Sequence, residues 1–120
     1  MHPKRILIVE DDAFIVEALS MLLEEEGFSV TSSVDGEIFN TPIVDHPHLI
    51  LLDIRLNGTD RRDICMWLKD HAEYKHIPII LISGNREIEH IHKECGADDF
   101  IIKPFELDEL LQKVNLYTTD

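Results

Sequence analysis

Basic residues are scarce in this chain: 11 lysines and arginines stand against 24 aspartates and glutamates, a formal charge of −13. A nucleic-acid binder needs a basic stripe to displace counterions from phosphates. The cations here are scattered, with Arg61-Arg62 the one strong pair beyond the N-terminus, so direct nucleic-acid binding is not expected. Long apolar runs are missing too. The run at Leu49 to Leu52 falls far short of the roughly 20 residues that span a bilayer. The stretch after Met-His-Pro-Lys-Arg breaks at Glu10, which leaves no signal-peptide core; the cytoplasm is the expected compartment, with no membrane partner. Cysteine is limited to Cys65 and Cys95, both in apolar helical patterns, and these read as core residues with free thiols. Seven histidines show neither an i, i+4 pair nor Cys/His spacing, which excludes a transition-metal motif.

What is present is a regular alternation of apolar runs and amphipathic stretches. With 120 residues there is room for one domain and one core, spanning residues 1–120, with 118–120 as a candidate linker start. Arg5 to Val9 lacks alternation, as expected of a strand buried on both faces. Phe14, Ile15, Ala18, Leu19, Leu22 and Leu23 then recur at helical spacing and predict one inward face, closed by Gly27. Phe28 to Thr31 predicts a shorter, more polar strand near an edge. Residues 35–46, interrupted by Thr41-Pro42, leave room for no more than a short irregular helix.

Leu49 to Leu52 predicts a third strand ending at Asp53. A helix from about Asp60 to His71 follows, with Ile64, Cys65, Leu68 and Ala72 inward and Trp67 partly exposed. Ile79 to Ile82 is a fourth strand, and Ile88, Ile91 and Cys95 mark a helix closed by Gly96. Phe100 to Ile102 is a fifth strand, and Leu107, Leu110, Leu111 and Val114 mark the last helix. Apolar strands alternating with helices imply an α/β domain, a doubly wound parallel sheet covered on both faces through right-handed crossovers.

Ligands of such sheets bind beyond the carboxyl ends of the strands. The residues there are Glu10-Asp11-Asp12, Asp53, Ser83 and Lys103-Pro104. A lone aspartate after a strand more often serves in a turn or a helix cap, and Asp12 has that alternative at the helix beginning near Ala13. The set is harder to explain singly. Clustered carboxylates repel one another and stay ionised beside a hard cation such as Mg²⁺, which favours carboxylates, waters and phosphate oxygens. A metal, Lys103 and the Ser83 hydroxyl could each take one oxygen of a phosphoryl group carried on Asp53.

Ile-Leu-Ile-Val-Glu-Asp-Asp (6–12), Leu-Ile-Leu-Leu-Asp (49–53), Ile-Ile-Leu-Ile-Ser-Gly (79–84) and Gly-Ala-Asp-Asp-Phe-Ile-Ile-Lys-Pro-Phe (96–105) together resemble the receiver domain of two-component response regulators, the CheY-like family. The resemblance runs from Ile6 to about Val114. It implies a flavodoxin-like five-stranded sheet of order 2-1-3-4-5. It further implies Asp53 as phosphoacceptor, with Mg²⁺ held by Glu10, Asp11, Asp53 and the main-chain carbonyl of Arg55. Ser83 would be the mobile hydroxyl, Lys103 the basic partner, Phe100 the aromatic switch, and the bond to Pro104 cis. A histidine kinase or phosphotransfer protein would donate the phosphoryl group. The face of helix four, strand five and helix five would then signal to an output partner or domain, and a phosphorylation-dependent homodimer is compatible with the pattern. Such a domain catalyses only its own phosphorylation and dephosphorylation.

Three departures from the family pattern stand out. Leu56-Asn57-Gly58-Thr59-Asp60-Arg61 replaces the usual Leu-Pro-x-x-Asp-Gly, so Arg61 stands in place of glycine. The Ser83 to Gly96 segment is about two residues short, and the Pro42 region shortens helix two. Arg55 is expected to face the site entrance. Two other functions compete: a pseudo-receiver that takes no phosphate, which usually lacks one of the five residues complete here, and a flavin carrier, which would need a Gly- and hydroxyl-rich phosphate loop where Glu10-Asp11-Asp12 stands.

Overall fold

Five apolar segments pair into one parallel sheet in the computed structural model, which describes residues 2–43 and 45–119. The long strands are β1 (Arg5–Val9), β2 (Ser29–Ser33), β3 (Leu49–Asp53), β6 (Ile79–Ser83) and β7 (Asp99–Ile102). Between β3 and β6 lie two two-residue strands, β4 (Arg55–Leu56) and β5 (Thr59–Asp60), which form a separate antiparallel hairpin. The main sheet runs β2-β1-β3-β6-β7, the order 2-1-3-4-5 once the hairpin strands are left out of the count.

Every residue of β3 and of β6 is buried, as their uninterrupted apolar sequences require. Alternate residues feed two cores. Leu7, Val9, Ile50, Leu52 and Leu81 face α2 (Arg62–Asp70) and α3 (Ile88–Cys95), while Ile6, Ile8, Leu49, Leu51 and Ile82 face α1 (Ala13–Glu25) and α4 (Leu107–Thr118). β2 is the polar edge strand, two residues longer at its C-terminal end than its apolar content suggests. A single 3₁₀ turn, Gly36–Asn40, is the helix that the described residues of the 35–46 region form.

Helix ends follow local chemistry. Asp12 caps α1, its Oδ1 accepting from the Phe14 and Ile15 amides. Gly96 closes α3 at a φ of 77°, a left-handed conformation that costs glycine little. The helix expected from Asp60 begins only at Arg62, because Thr59 and Asp60 are taken up in the hairpin, and it ends at Asp70. Ala72 lies beyond it and is exposed rather than inward.

Three other expected inward positions are also corrected. Phe14 is 84% exposed and Leu107 44%, and Ala18 is exposed as well. At about 100° per residue, Phe14 and Ala18 lie roughly 180° and 140° around α1 from the buried Leu23 and so face solvent. Leu107 is on the inward face of α4 but in its first turn, at the carboxyl edge of the sheet, where no strand covers it. Trp67 is partly exposed and packs on Phe39, His71 and Tyr74. The two cysteines are buried free thiols of one core, brought together across α2 and α3 with Cys65 Sγ 3.7 Å from the Cys95 carbonyl. Burial pushes the Cys65 thiol up to about 12, a protonated and unreactive state. Thr118 belongs to α4 and is buried, whereas Asp120 lies outside the described residues. No helix among the described residues is long and apolar enough to cross a membrane.

Candidate functional site

Parallel pairing carries the ends of the central strands to one edge. Val9 pairs with Leu52, Asp53 with Ile82, and Ser83 with Ile102, so Glu10, Asp53, Ser83 and Lys103 emerge side by side. They line a cavity of about 670 Å³ together with Asp11, Asp12, Arg55 and Asp60. Residues separated by up to 93 positions thus meet there.

The cavity floor is almost dry. Glu10 is 1% exposed, Asp53 4% and Ser83 5%. Lys103 Nζ donates to Glu10 Oε1 at 2.8 Å and to Asp53 Oδ2 at 2.7 Å, so one ammonium bridges the two buried carboxylates. The other carboxylate oxygens are held by main-chain amides. Asp12 N donates to Glu10 Oε2 at 3.2 Å, and Arg55 N to Asp53 Oδ1 at 2.8 Å. Asp11 is exposed at the rim and accepts from Asn57 N at 2.9 Å.

Electrostatics divides these acids. Burial, and next the hydrogen bond and negative charge of Asp53, push the Glu10 carboxyl up to about 7, against the pull of Lys103 and the Asp12 amide. The Asn57 amide, the largest influence on Asp11, holds that carboxyl below the ordinary 3.8. Burial opposes the charge on Lys103, but Asp53 and Glu10 outweigh it and raise the ammonium above its ordinary 10.5. Oxygens of Glu10, Asp11 and Asp53 all lie within 4.8 Å of one another. One ammonium among three carboxylates leaves the site short of positive charge, and an all-oxygen donor set suits a hard divalent cation.

The remaining expected residues fall nearby in different ways. The Ser83 hydroxyl accepts from Asn85 N at 3.0 Å and borders the cavity. The Lys103-Pro104 bond is cis. Arg55 is exposed at the cavity mouth. Phe100 is half-buried, its ring 5.2 Å from His92 and 5.4 Å from Lys113 Nζ. Arg61, where the family pattern has glycine, turns aside to Asp63 at 3.0 Å.

Two contributors went unread in the sequence. The Asn57 amide and the hairpin that aims it are new, although Asn-Gly between apolar and β-branched neighbours is a strong hairpin signal. A second feature is an apolar groove of about 470 Å³ beside Lys103, lined by Phe14, Ile15, Ala18, Pro104, Phe105 and Leu107.

Residues 6–115 match the family described as the response regulator receiver domain. The chain is 35% identical over 114 residues to the DNA-binding response regulator MtrA of Mycolicibacterium paratuberculosis, covering 92% of this chain and 49% of that protein. It is 39% identical over 117 residues to the transcriptional regulatory protein AruR of Pseudomonas aeruginosa, covering 91% and 47%. The chain therefore spans about half the length of these relatives. Among solved structures, the signal receiver domain of a signal transduction histidine kinase from Syntrophus aciditrophicus superposes with a TM-score of 0.83 at 31% identity, over 97% of this chain and 90% of that one. The chemotaxis response regulator CheY4 of Vibrio cholerae shares the fold at a TM-score of 0.86 and 22% identity, over 97% and 99% of the two chains.

Proposed function

The chain belongs to the response regulator receiver domain family of two-component signalling, and on that premise we propose that Asp53 accepts a phosphoryl group from a phosphohistidine in a Mg²⁺-dependent reaction. One observation carries the reading: Lys103 bridges the buried carboxylates of Glu10 and Asp53, while Asp53, Ser83 and Lys103 line one cavity.

In this reading the phosphohistidine N–P bond breaks as an Asp53 carboxylate oxygen bonds to phosphorus. The electron pair of the broken bond returns to the imidazole of the donor. Phosphoryl transfer demands positioning and charge neutralisation more than covalent participation by the protein. Arg55 N fixes one Asp53 oxygen, leaving the carboxylate oriented, and Lys103 offers a positive charge to the incoming phosphoryl oxygens. Ser83 supplies a hydroxyl that exchanges its Asn85 contact for a phosphoryl oxygen.

Glu10, Asp11, Asp53 and the Arg55 carbonyl are the groups that would hold Mg²⁺, which when bound supplies neutralising charge to the phosphoryl oxygens. Strand geometry supports the Arg55 carbonyl. Arg55 pairs with Asp60, and Arg61 N bonds to Ile54 O, so the Arg55–Asp60 pair is the one without ladder hydrogen bonds. The N–H and C=O of such a residue project to the same outer side, and the Arg55 N–H is already on Asp53.

Movement of Ser83 frees space for Phe100, and the α3, β7 and α4 face changes with it. That face signals to an output domain or protein, with homodimerisation a phosphorylation-dependent outcome. The apolar groove beside Lys103, with Phe14 84% exposed on it, is the surface that this reading gives to the donor protein. The donor is a histidine kinase or phosphotransfer protein, and the compartment is the cytoplasm.

The test is incubation with Mg²⁺ and acetyl phosphate followed by intact-mass measurement. The expected result is a single phosphoryl gain that disappears in Asp53→Asn and in the presence of a chelator. A wild-type protein that gains no mass from any donor and binds no Mg²⁺ would make it a pseudo-receiver.

A further inference from the structure

The segment between Asp53 and α2 folds on itself within six residues. Arg55 pairs with Asp60 and Leu56 with Thr59, leaving Asn57 and Gly58 at the turn. Both turn residues have positive φ, 52° and 78°, the signature of a type I′ turn. Leu56 is 3% exposed and anchors one strand in the core beside Ile54 and Ile64. The turn itself is exposed and reaches back across 46 residues to place the Asn57 amide on Asp11 Oδ2 at 2.9 Å.

Neighbouring acids are fixed otherwise. Asp12 is committed to capping α1, and Glu10 is gripped by Lys103 and the Asp12 amide. Asp11 is exposed, and the hairpin amide of Asn57 donates to its Oδ2. The same hairpin carries the Arg55 amide that orients Asp53. Two of the three carboxylates in the oxygen cluster are therefore aimed by main-chain amides of one six-residue hairpin.

We propose that the Asn57-Gly58 turn is a positioning element of the pocket, which sets divalent-cation affinity by presenting the Asn57 amide to Asp11. The inference rests on the reading of this pocket as a cation site. Gly58 is the handle, because a Cβ there meets nothing within 4 Å while its φ of 78° penalises any side chain. Substitution at this position thus disturbs the turn through the backbone alone. Asparagine tolerates the left-handed region best, alanine less and a β-branched side chain least.

The experiment compares wild type with Gly58→Asn, Gly58→Ala and Gly58→Val. Mg²⁺ affinity is measured by calorimetry, and protection of the Asn57 amide by hydrogen exchange in NMR. Affinity is expected to fall in that order, by about fivefold for alanine and more than about tenfold for valine if the backbone strain passes fully to the turn. The loss should track loss of amide protection. Saturating Mg²⁺ should restore phosphorylation by acetyl phosphate wherever the Arg55 amide keeps its protection on Asp53. If valine prevents folding, alanine and asparagine carry the ranking.

Affinity that does not follow amide protection across the series overturns the positioning role and leaves the cation site standing. Wild-type protein that binds no Mg²⁺ overturns the site and the positioning role together.

Discussion

Lys103 Nζ stands 2.7 Å from Asp53 Oδ2, fifty residues away in sequence, and the same ammonium reaches Glu10 Oε1 at 2.8 Å. The two carboxylates are nearly free of solvent, whereas Lys103 keeps a quarter of its side chain in water. Removing the cation leaves two buried negative charges facing each other. Lys103→Ala should therefore cost about 2–3 kcal/mol at pH 8 in a chelator, the lower range for a broken buried pair because the lysine is partly solvated. Urea unfolding measures it, and added Mg²⁺ should recover part of the loss. An unchanged midpoint would contradict the pairing.

Glu10 gives the protein an inverted acid response. With its carboxyl raised from 4.5 to about 7, the folded protein holds a proton that the unfolded chain releases. Stability from this group is full below about pH 4.5 and falls as pH rises towards 7, because folding then requires either proton uptake or a buried charge. The melting temperature in a chelator should drop between pH 6 and pH 8. Mg²⁺ should flatten that slope by favouring the ionised form. A rise in melting temperature over the same interval without metal would reverse the sign of the argument.

Asp99 behaves in the opposite sense. Burial resists its ionisation, but hydrogen bonds from Lys113 Nζ, the Phe100 amide and the Tyr117 hydroxyl together hold it below the ordinary 3.8. Its contribution is present above that value and lost as pH falls below it. Lys113 also donates to the Phe100 carbonyl at 2.9 Å and lies over the Phe100 ring. Lys113→Met should destabilise the protein by about 1–2 kcal/mol at neutral pH and lessen its acid sensitivity below pH 4. It should also loosen Phe100, visible as averaging of its ring signals in NMR.

Phe14 places a large apolar side chain in water beside the cavity, at the lip of the groove next to Lys103. An exposed aromatic there has little to do for stability. Phe14→Ala should leave unfolding within about 0.5 kcal/mol of wild type. Phosphorylation by acetyl phosphate should also be unaffected, while transfer from a protein donor slows by about tenfold or more, the loss of a single aromatic anchor. Equal slowing with both donors would place Phe14 in the chemistry and not in docking.

Arg55 carries an exposed guanidinium at the cavity mouth. There it can meet a phosphoryl group on Asp53 and stand in the path of hydrolytic water. Arg55→Ala should shorten the phosphorylated lifetime by about threefold or more, read from loss of the phosphoryl mass with time. An unchanged half-life would mark Arg55 as an ordinary solvated arginine.

Apolar patterning alone specifies the sheet and the strand-end residues that gather at its carboxyl edge. Runs such as Leu49 to Leu52 and Ile79 to Ile82 have no polar face, so each is confined to the middle of a sheet covered on both sides. Once the strands are parallel, the first polar residue after each run lands at one edge, which is why Glu10, Asp53, Ser83 and Lys103 were legible together. Local capping was legible for the same reason: Asp12 and Gly96 act on backbone within a few residues of themselves.

Tertiary structure alone decided what covers each face and which donor meets which acceptor. Helical spacing groups Leu107 with Leu110 and Val114, but only the position of the sheet edge leaves the first exposed and buries the others. The bridge from Lys103 to two carboxylates, the contact between Cys65 and Cys95, and the Asn57 amide on Asp11 depend on register and crossing between distant segments. Periodicity specifies the direction in which a side chain points from its own element. What it meets is fixed by the packing of elements far apart in the chain, and that packing is what turns a list of strand-end acids into an ordered pocket.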